Sequence, residues 1–101
     1  TITVPASTTM LIEAFVVARR TGGTLGTAED GAGYTVYATV KNVAGTATII
    51  GAVLPSLIAE DQALWDATID VTGSTARVRV TGAISNNITW HGTIRVWPVG
   101  S

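Results

Sequence analysis

Few residues in this sequence have side chains suited to catalysis or metal binding. His91 is the single histidine, cysteine is absent, and the seven acidic residues include the adjacent pairs Glu29–Asp30 and Glu60–Asp61. A zinc site takes three or four His, Cys or carboxylate ligands, and one histidine without cysteine does not supply them. A serine or threonine nucleophile needs a neighbouring base, and nothing in the spacing around His91 favours that arrangement. We therefore predict no catalytic residue, no metal and no cofactor.

The acidic pairs are the one feature that favours a hydrolase. Carboxylates that face each other across a groove hydrolyse glycosides, and closely spaced carboxylates hold Ca²⁺. Adjacent residues of a strand or loop point apart, however, and the sequence contains no Asp-x-Asp-x-Asp run. Solvated loop tips or caps are the preferred interpretation of the acidic pairs, with a small hydrolase as an alternative.

Asp66 and Asp70 point to the same side of one predicted strand. Arg77 and Arg79 point to the same side of the next strand. This arrangement predicts ion pairs between the two strands.

The composition predicts the elements that position these residues. Of 101 residues, 17 are Thr, 12 are Val and 9 are Ile. β-branched side chains crowd a helix but fit a pleated strand, so we expect an all-β protein. The length fits a single domain, residues 1–101. Because the chain begins at Thr1 without Met, we expect a fragment of a longer chain or a processed product.

Alternating apolar and polar residues predict seven or eight strands, spaced by roughly 8–12 residues. That pattern is typical of an antiparallel β-sandwich, and we expect a jelly-roll-like one of about eight strands. The expected strands are 2–4, 9–20, 34–43, 46–54, 65–71, 75–81 and 88–97, with Pro98 ending the last. We expect a glycine-rich loop over 21–33, a turn at Asn86–Asn87 and an ambiguous stretch over 55–64 that includes one helical turn as an option. We expect the more apolar side of each strand to face the interior. This predicts the following core: Ile12, Val16, Val36, Val40, Trp65, Ile69, Val78, Val80, Trp90, Ile94 and Val96.

Several aromatic residues fall on the outward parity of these strands. Exposed rings on a β-surface stack on sugar rings, and they also anchor subunit interfaces. One candidate binding surface is the outward row of the last strand, extended by a ring from a neighbouring strand. The other is the glycine-rich loop, whose exposed amides suit hydroxyl-rich ligands. The candidate ligand-binding residues are Tyr37, His91, Arg95, Trp97, Glu29 and Asp30.

The low charge of the chain predicts that other chains cover part of its surface. Charged residues make up 13% of the sequence, against about 25% in a typical domain, and the net charge is −1. This balance excludes disorder and gives no support for a nucleic-acid partner. The strand over 9–20 is apolar on one parity and half-apolar on the other, so we expect Leu11, Phe15 and Val17 to lie in an oligomer interface. The longest uncharged run, 42–59, is interrupted by glycine and proline, which argues against membrane insertion.

Short motifs along nearly the whole chain resemble a module found near the ends of tail-fibre and tail-spike proteins of tailed phages and prophages. These motifs mark the ends of strands and the turns between them, and they contain no reactive groups. The matching segments are Ile2-Thr3-Val4-Pro5-Ala6, Glu13-Ala14, Val16-Val17-Ala18-Arg19-Arg20-Thr21-Gly22-Gly23, Gly31-Ala32-Gly33-Tyr34, Lys41-Asn42-Val43, Trp65-Asp66-Ala67, Val80-Thr81-Gly82-Ala83 and Ile88-Thr89-Trp90-His91.

The resemblance implies an all-β knob that assembles as a homotrimer at the end of a fibre or spike. Such modules bind host-surface glycans or lock three chains in register, and they belong to the virion or act outside the cell. The family has no catalytic residue to transfer. An alternative from a different class is a monomeric carbohydrate-binding module of a secreted glycan-degrading enzyme.

Overall fold

A computed structural model describes residues 1–100, and its regular structure consists of seven β-strands. The strands are β1 (Ile2–Thr3), β2 (Thr8–Gly23), β3 (Gly31–Val43), β4 (Thr46–Glu60), β5 (Asp66–Thr72), β6 (Thr75–Thr81) and β7 (Asn86–Gly100). The all-β prediction is confirmed. No helix within residues 1–100 is long and apolar enough to cross a membrane.

The strands form two antiparallel sheets. The larger has the order β4-β3-β2-β7 and the smaller the order β1-β6-β5. In the larger sheet β2, β3 and β4 are consecutive, and β7 returns to lie beside β2, which is the strand order of a Greek key. The long connection between β4 and β7 carries the β5–β6 hairpin of the smaller sheet. A jelly roll has eight strands and two Greek keys, whereas these seven strands form one.

The two sheets share one hydrophobic core, built from alternate residues of β2 and β3 together with residues of β5 and β6. Ile12, Val36 and Trp65 are almost fully buried in it. Six of the eleven predicted core residues are buried and Val78, Trp90 and Ile94 are partly buried, but Val80 and Val96 are 42% and 39% exposed. The prediction for these two was wrong because β5 and β6 pack mainly against β3 and β4, which leaves the β7 side of the sheet less covered.

Edge strands explain where the predicted boundaries differ from the structure. Pro98 does not end the last strand, since β7 continues to Gly100 and Pro98 lies opposite Met10. An edge strand tolerates proline, whose missing N–H is not needed by a neighbour. Pro55 likewise lies within the other edge strand, β4, which continues to Glu60 with no helical turn. The turn before β7 is at Ile84–Ser85, and Asn86 and Asn87 already belong to that strand.

Three connections meet at one end of the sandwich, which we call the loop end: β2–β3 (24–30), β4–β5 (61–65) and β6–β7 (82–85). Backbone hydrogen bonds join them, from Leu25 N–H to the Ser85 carbonyl (3.2 Å) and from Asp61 N–H to the Gly31 carbonyl (3.0 Å). The glycine-rich loop is shorter than predicted, because β2 extends to Gly23 and β3 begins at Gly31. Thr1 and Gly100 lie at the opposite end of the sandwich.

Candidate functional site

The larger sheet has an outer face, the side that points away from the smaller sheet, and strand register places most predicted site residues on it. Leu11 lies opposite Trp97, Phe15 opposite Thr93, and Val17 opposite His91. The predicted interface residues of β2 therefore alternate with the predicted ligand-binding residues of β7 on one continuous surface. The predicted interface therefore shares one surface with Tyr37, His91, Arg95 and Trp97, whereas Glu29 and Asp30 lie at the loop end.

This outer face carries exposed apolar side chains on β2, β4 and β7, whereas β3 contributes mainly glycine and polar residues. Phe15, Val17 and Trp97 are 38%, 55% and 47% exposed. Leu54 and Leu57 of β4 extend the surface, at 62% and 49% exposure, and were not among the predicted residues. Ser56 forms a bulge between them, so both lie on the outer face although they are three residues apart. The apolar sequence around Pro55 signals an edge strand with two apolar sides, but a bulge has no sequence signature strong enough to assign it.

One buried acid lies at the centre of the outer face. Glu13 is 7% exposed and lies between Tyr37 of β3 and Arg95 of β7. The Glu13 carboxylate beside the Tyr37 hydroxyl is the main reason that the pKa of Tyr37 is raised, with burial as the second cause. Arg95 Nη1 lies 3.9 Å from Glu13 Oε1, and the Arg95 guanidinium lies 5.8 Å from the centre of the Trp97 ring. Glu13, Tyr37, Arg95 and Trp97 thus form one connected polar and aromatic cluster.

The predicted ligand-binding row of β7 is too long to contact a single sugar ring. His91 and Trp97 are six residues apart on one strand, which places them about 20 Å from each other. Tyr37 of β3 and Arg95 of β7 lie on opposite sides of β2, and Glu13 of β2 lies between them. The structure therefore groups Tyr37, Arg95 and Trp97 at the middle and lower part of the face, and leaves His91 near the loop end.

A depression lies beside His91 on the outer face. Its volume is about 330 Å³, and Gly33 forms part of its floor. No atom lies within 4 Å of the place where a Cβ on Gly33 would be, so the missing side chain leaves the space open. Its principal walls are Phe15, Val17, Leu57, His91 and Thr93.

The acidic pairs at the loop end make structural contacts. Asp30 is 8% exposed, and its carboxylate accepts hydrogen bonds from the Thr27 N–H (2.8 Å) and the Gln62 side-chain amide (2.7 Å). Asp61 accepts from the Gly31 N–H at 2.8 Å, and Glu60 accepts from the Tyr34 hydroxyl at 2.6 Å. Glu29 remains exposed and lies 3.5 Å from Arg19.

Asp30 thus joins the β2–β3 loop to the β4–β5 loop. Of the six predicted ligand-binding residues it is the most buried. Within the described range 1–100, no three His, Cys, Asp or Glu side chains are grouped so as to hold a metal ion.

We expect Asp30→Asn to reduce the loss of stability in acid. Hydrogen bonds from the Thr27 N–H, first, and the Gln62 amide, second, hold the pKa of Asp30 below the ordinary value for an aspartate. A lowered native pKa contributes stability above the unfolded-state pKa, and this contribution is lost as the pH falls through the native pKa. Melting temperatures of both proteins between pH 2 and pH 7 test this: the variant should be less stable at neutral pH and should converge with the wild type in acid. A constant difference across the range would contradict the assignment. The pKa of Asp70 is also lowered, mainly by Arg77 and further by Arg79. Asp70 therefore adds a loss of stability in acid that is the same in both proteins.

The predicted cross-strand ion pairs are present in part. The Arg77 guanidinium donates two hydrogen bonds to Asp70, and Arg79 donates a third at 3.1 Å. Asp66 lies opposite Thr81 and takes no part in this group.

The outer face of the larger sheet is therefore the candidate functional surface, with the loop end as a second exposed surface adjoining it. The face offers apolar contact area, two adjoining depressions and one charged cluster, features that suit the binding of another molecule. In comparisons with known proteins, the chain matches no protein-family model, no curated protein and no solved structure.

Proposed function

We propose that this chain is a non-catalytic β-sandwich module of a phage-type tail fibre, which assembles as a homotrimer at the fibre tip and attaches to a host-surface glycan. The observation that carries the proposal is the set of exposed apolar side chains on the outer face of the larger sheet. A monomeric soluble domain rarely exposes a large continuous apolar patch, and such patches mark interaction sites. The resemblance of the sequence to tail-fibre tip modules supports the same assignment.

The outer face is large enough for a stable contact between chains. The β2–β3 register runs over eleven residue pairs, from Thr9 to Arg19. Four strands of that length, about 4.8 Å apart and rising about 3.4 Å per residue, cover roughly 700 Å². A standard protein–protein interface buries about 800 Å² on each partner. Leu11, Phe15 and Val17 would occupy the middle of this contact.

In such an assembly the loop end remains available for attachment. If neighbouring chains cover the outer face, a glycan has access to the three joined loops at the end of the sandwich opposite Thr1 and Gly100. Rigid scaffolds commonly position binding loops in this way. Glu29 is the exposed acid there, and the backbone of 24–29 supplies further polar groups. Three copies of a weak site would bind a multivalent surface with useful avidity.

The molar mass in solution tests the assembly. We expect light scattering to give a folded species of about three times the 10.4 kDa chain mass. Because assembly buries apolar surface, the midpoint of thermal unfolding should rise with protein concentration by mass action. A folded species near the mass of one chain at all concentrations would overturn the proposal.

The alternative is a monomeric carbohydrate-binding module, and the exposed ring of Trp97 beside charged groups is the observation that favours it. Trp97 is 47% exposed, the Arg95 guanidinium lies 5.8 Å from the centre of its ring, and Glu13 lies next to Arg95. A glycan array run on material of known molar mass separates the two functions. Sugar binding by a monomer that depends on the outer face supports the alternative.

A further inference from the structure

The depression at Gly33 is one of two adjoining concave features of the outer face, each of about 330 Å³; the other is bordered by Arg19, Thr89 and His91. Gly33 lies in the interior of β3, opposite Val17 of β2 and Ala59 of β4. Interior strand positions usually carry side chains, since glycine weakens a strand and often marks a close approach by another group. The backbone here is extended, with no positive φ that would require glycine. The local backbone therefore does not account for glycine at this position, and the open space is accessible to a group from another molecule.

The chemistry of the walls indicates an apolar occupant. Phe15, Val17 and Leu57 provide most of the surface, and the polar groups are limited to Thr35, Thr93 and His91 and the hydroxyl-bearing Tyr34. No carboxylate, carboxamide or guanidinium lines the depression. A sugar carries hydroxyl groups around its ring, and a site for one needs several directed polar partners. An aliphatic or aromatic side chain needs none, and it fits walls of this kind.

We infer that the depression at Gly33 is a socket that receives an apolar side chain from a second copy of this chain. This inference rests on the proposed assembly. It names the part of the outer face that fixes how neighbouring copies fit together. The outer face of roughly 700 Å² approaches the area that a stable contact needs, and a second copy supplies complementary apolar surface without a further partner.

The occupant comes from a part of the outer face away from the socket of its own chain. In a closed ring of three, each contact joins two different surfaces, because a self-complementary contact gives a twofold pair. Leu54 of β4 is a suitable side chain: it is aliphatic, it is 62% exposed, and it does not line the depression. Leu54 of one copy then enters the socket of the next, the same contact repeats around the ring, and the loop end stays free.

Gly33→Val tests the socket. A Cβ at this position meets no atom within 4 Å, and valine is favoured in strands, so the substituted chain should fold. The added side chain fills the space that the neighbouring copy would occupy. We expect the light-scattering mass to fall from that of the trimer to that of one chain at low micromolar concentration, with an unchanged far-ultraviolet circular dichroism spectrum.

Gly100→Val is the matched control. Gly100 belongs to the same sheet, has equally open space for a Cβ, and lies opposite Thr8, about 30 Å along β2 from the socket. This variant should keep the trimer mass. The socket is disproved if Gly33→Val remains as fully assembled as the wild type, or if both variants dissociate equally.

The outcomes separate the socket from the proposed function. A trimeric wild type with a trimeric Gly33→Val variant overturns the socket and leaves the assembly standing. A wild type that is itself monomeric overturns both. If that monomer also binds a glycan on an array and Gly33→Val abolishes the binding, the occupant of the depression is a sugar.

Discussion

Trp65→Ala is expected to lower the free energy of unfolding by about 3–5 kcal/mol, the range for removing a fully buried aromatic side chain. Trp65 is 1% exposed, and its ring packs against Trp90 with 6.1 Å between ring centres. Its indole N–H makes no hydrogen bond within residues 1–100, so the loss comes from packing. At roughly 4–8 °C per kcal/mol for a domain of this size, the melting temperature should fall by at least about 12 °C.

Trp97→Ala provides the matched control for this change. It removes the same side chain, but Trp97 is 47% exposed on the outer face. Thermal unfolding of the two variants should be compared at one protein concentration low enough to dissociate any assembly. A shift for Trp97→Ala as large as that for Trp65→Ala would contradict the description of the core. At high concentration, Trp97→Ala additionally reports whether this ring contributes to assembly or to sugar binding.

Val17→Asp is expected to prevent assembly without unfolding the chain. Val17 is 55% exposed in the isolated chain, so the aspartate stays in water there. In the proposed contact it would be a charge in an apolar interface, with an effective cost of several kcal/mol. Each 1.4 kcal/mol is tenfold in affinity, so assembly should weaken by at least about a hundredfold. Sedimentation velocity at micromolar concentration should then show a single species of chain mass.

Val43→Asp is the control for this second change, because Val43 is 53% exposed and lies at the far end of β3, next to the turn into β4. It introduces the same charge at nearly the same exposure. We expect this variant to sediment like the wild type. Equal effects of the two substitutions would show that net charge governs assembly, and not the surface around Val17.

Alternation along single strands made the interior of the larger sheet predictable. Ile12 and Val16 share one parity of β2, and both are buried as expected. The same rule placed Val80 and Val96 in the core, where they are not, because parity shows which way a side chain points and not whether another element covers it. Pro98 failed as a strand terminator for a related reason: whether a strand lies at an edge depends on the order of strands in the sheet.

The candidate site was predictable residue by residue but not as a surface. Parity correctly directed Tyr37, Arg95 and Trp97 outward. It did not show that Tyr37 and Arg95 lie on either side of Glu13, since the register between strands is set by distant turns. The depression was also not predictable, because Gly33 was counted with the glycines of a loop and not as an interior position of β3. Asp30 was expected to be accessible, but it is buried. It accepts a hydrogen bond from Gln62, which lies 32 positions further along the chain, and this contact could not be foreseen from local sequence.

The two edges of the larger sheet differ in their capacity to pair with further strands. β7 has no bulge of its own and carries its one proline, Pro98, at the third position from its end, whereas β4 carries Pro55 in its interior and two bulged segments on its paired side. Bulges and proline discourage an edge from accepting another strand. Unlimited growth by strand pairing requires two receptive edges on every molecule. With one receptive edge, such pairing ends at two chains, so densely packed copies of this domain are protected from polymerising into fibrils through this sheet.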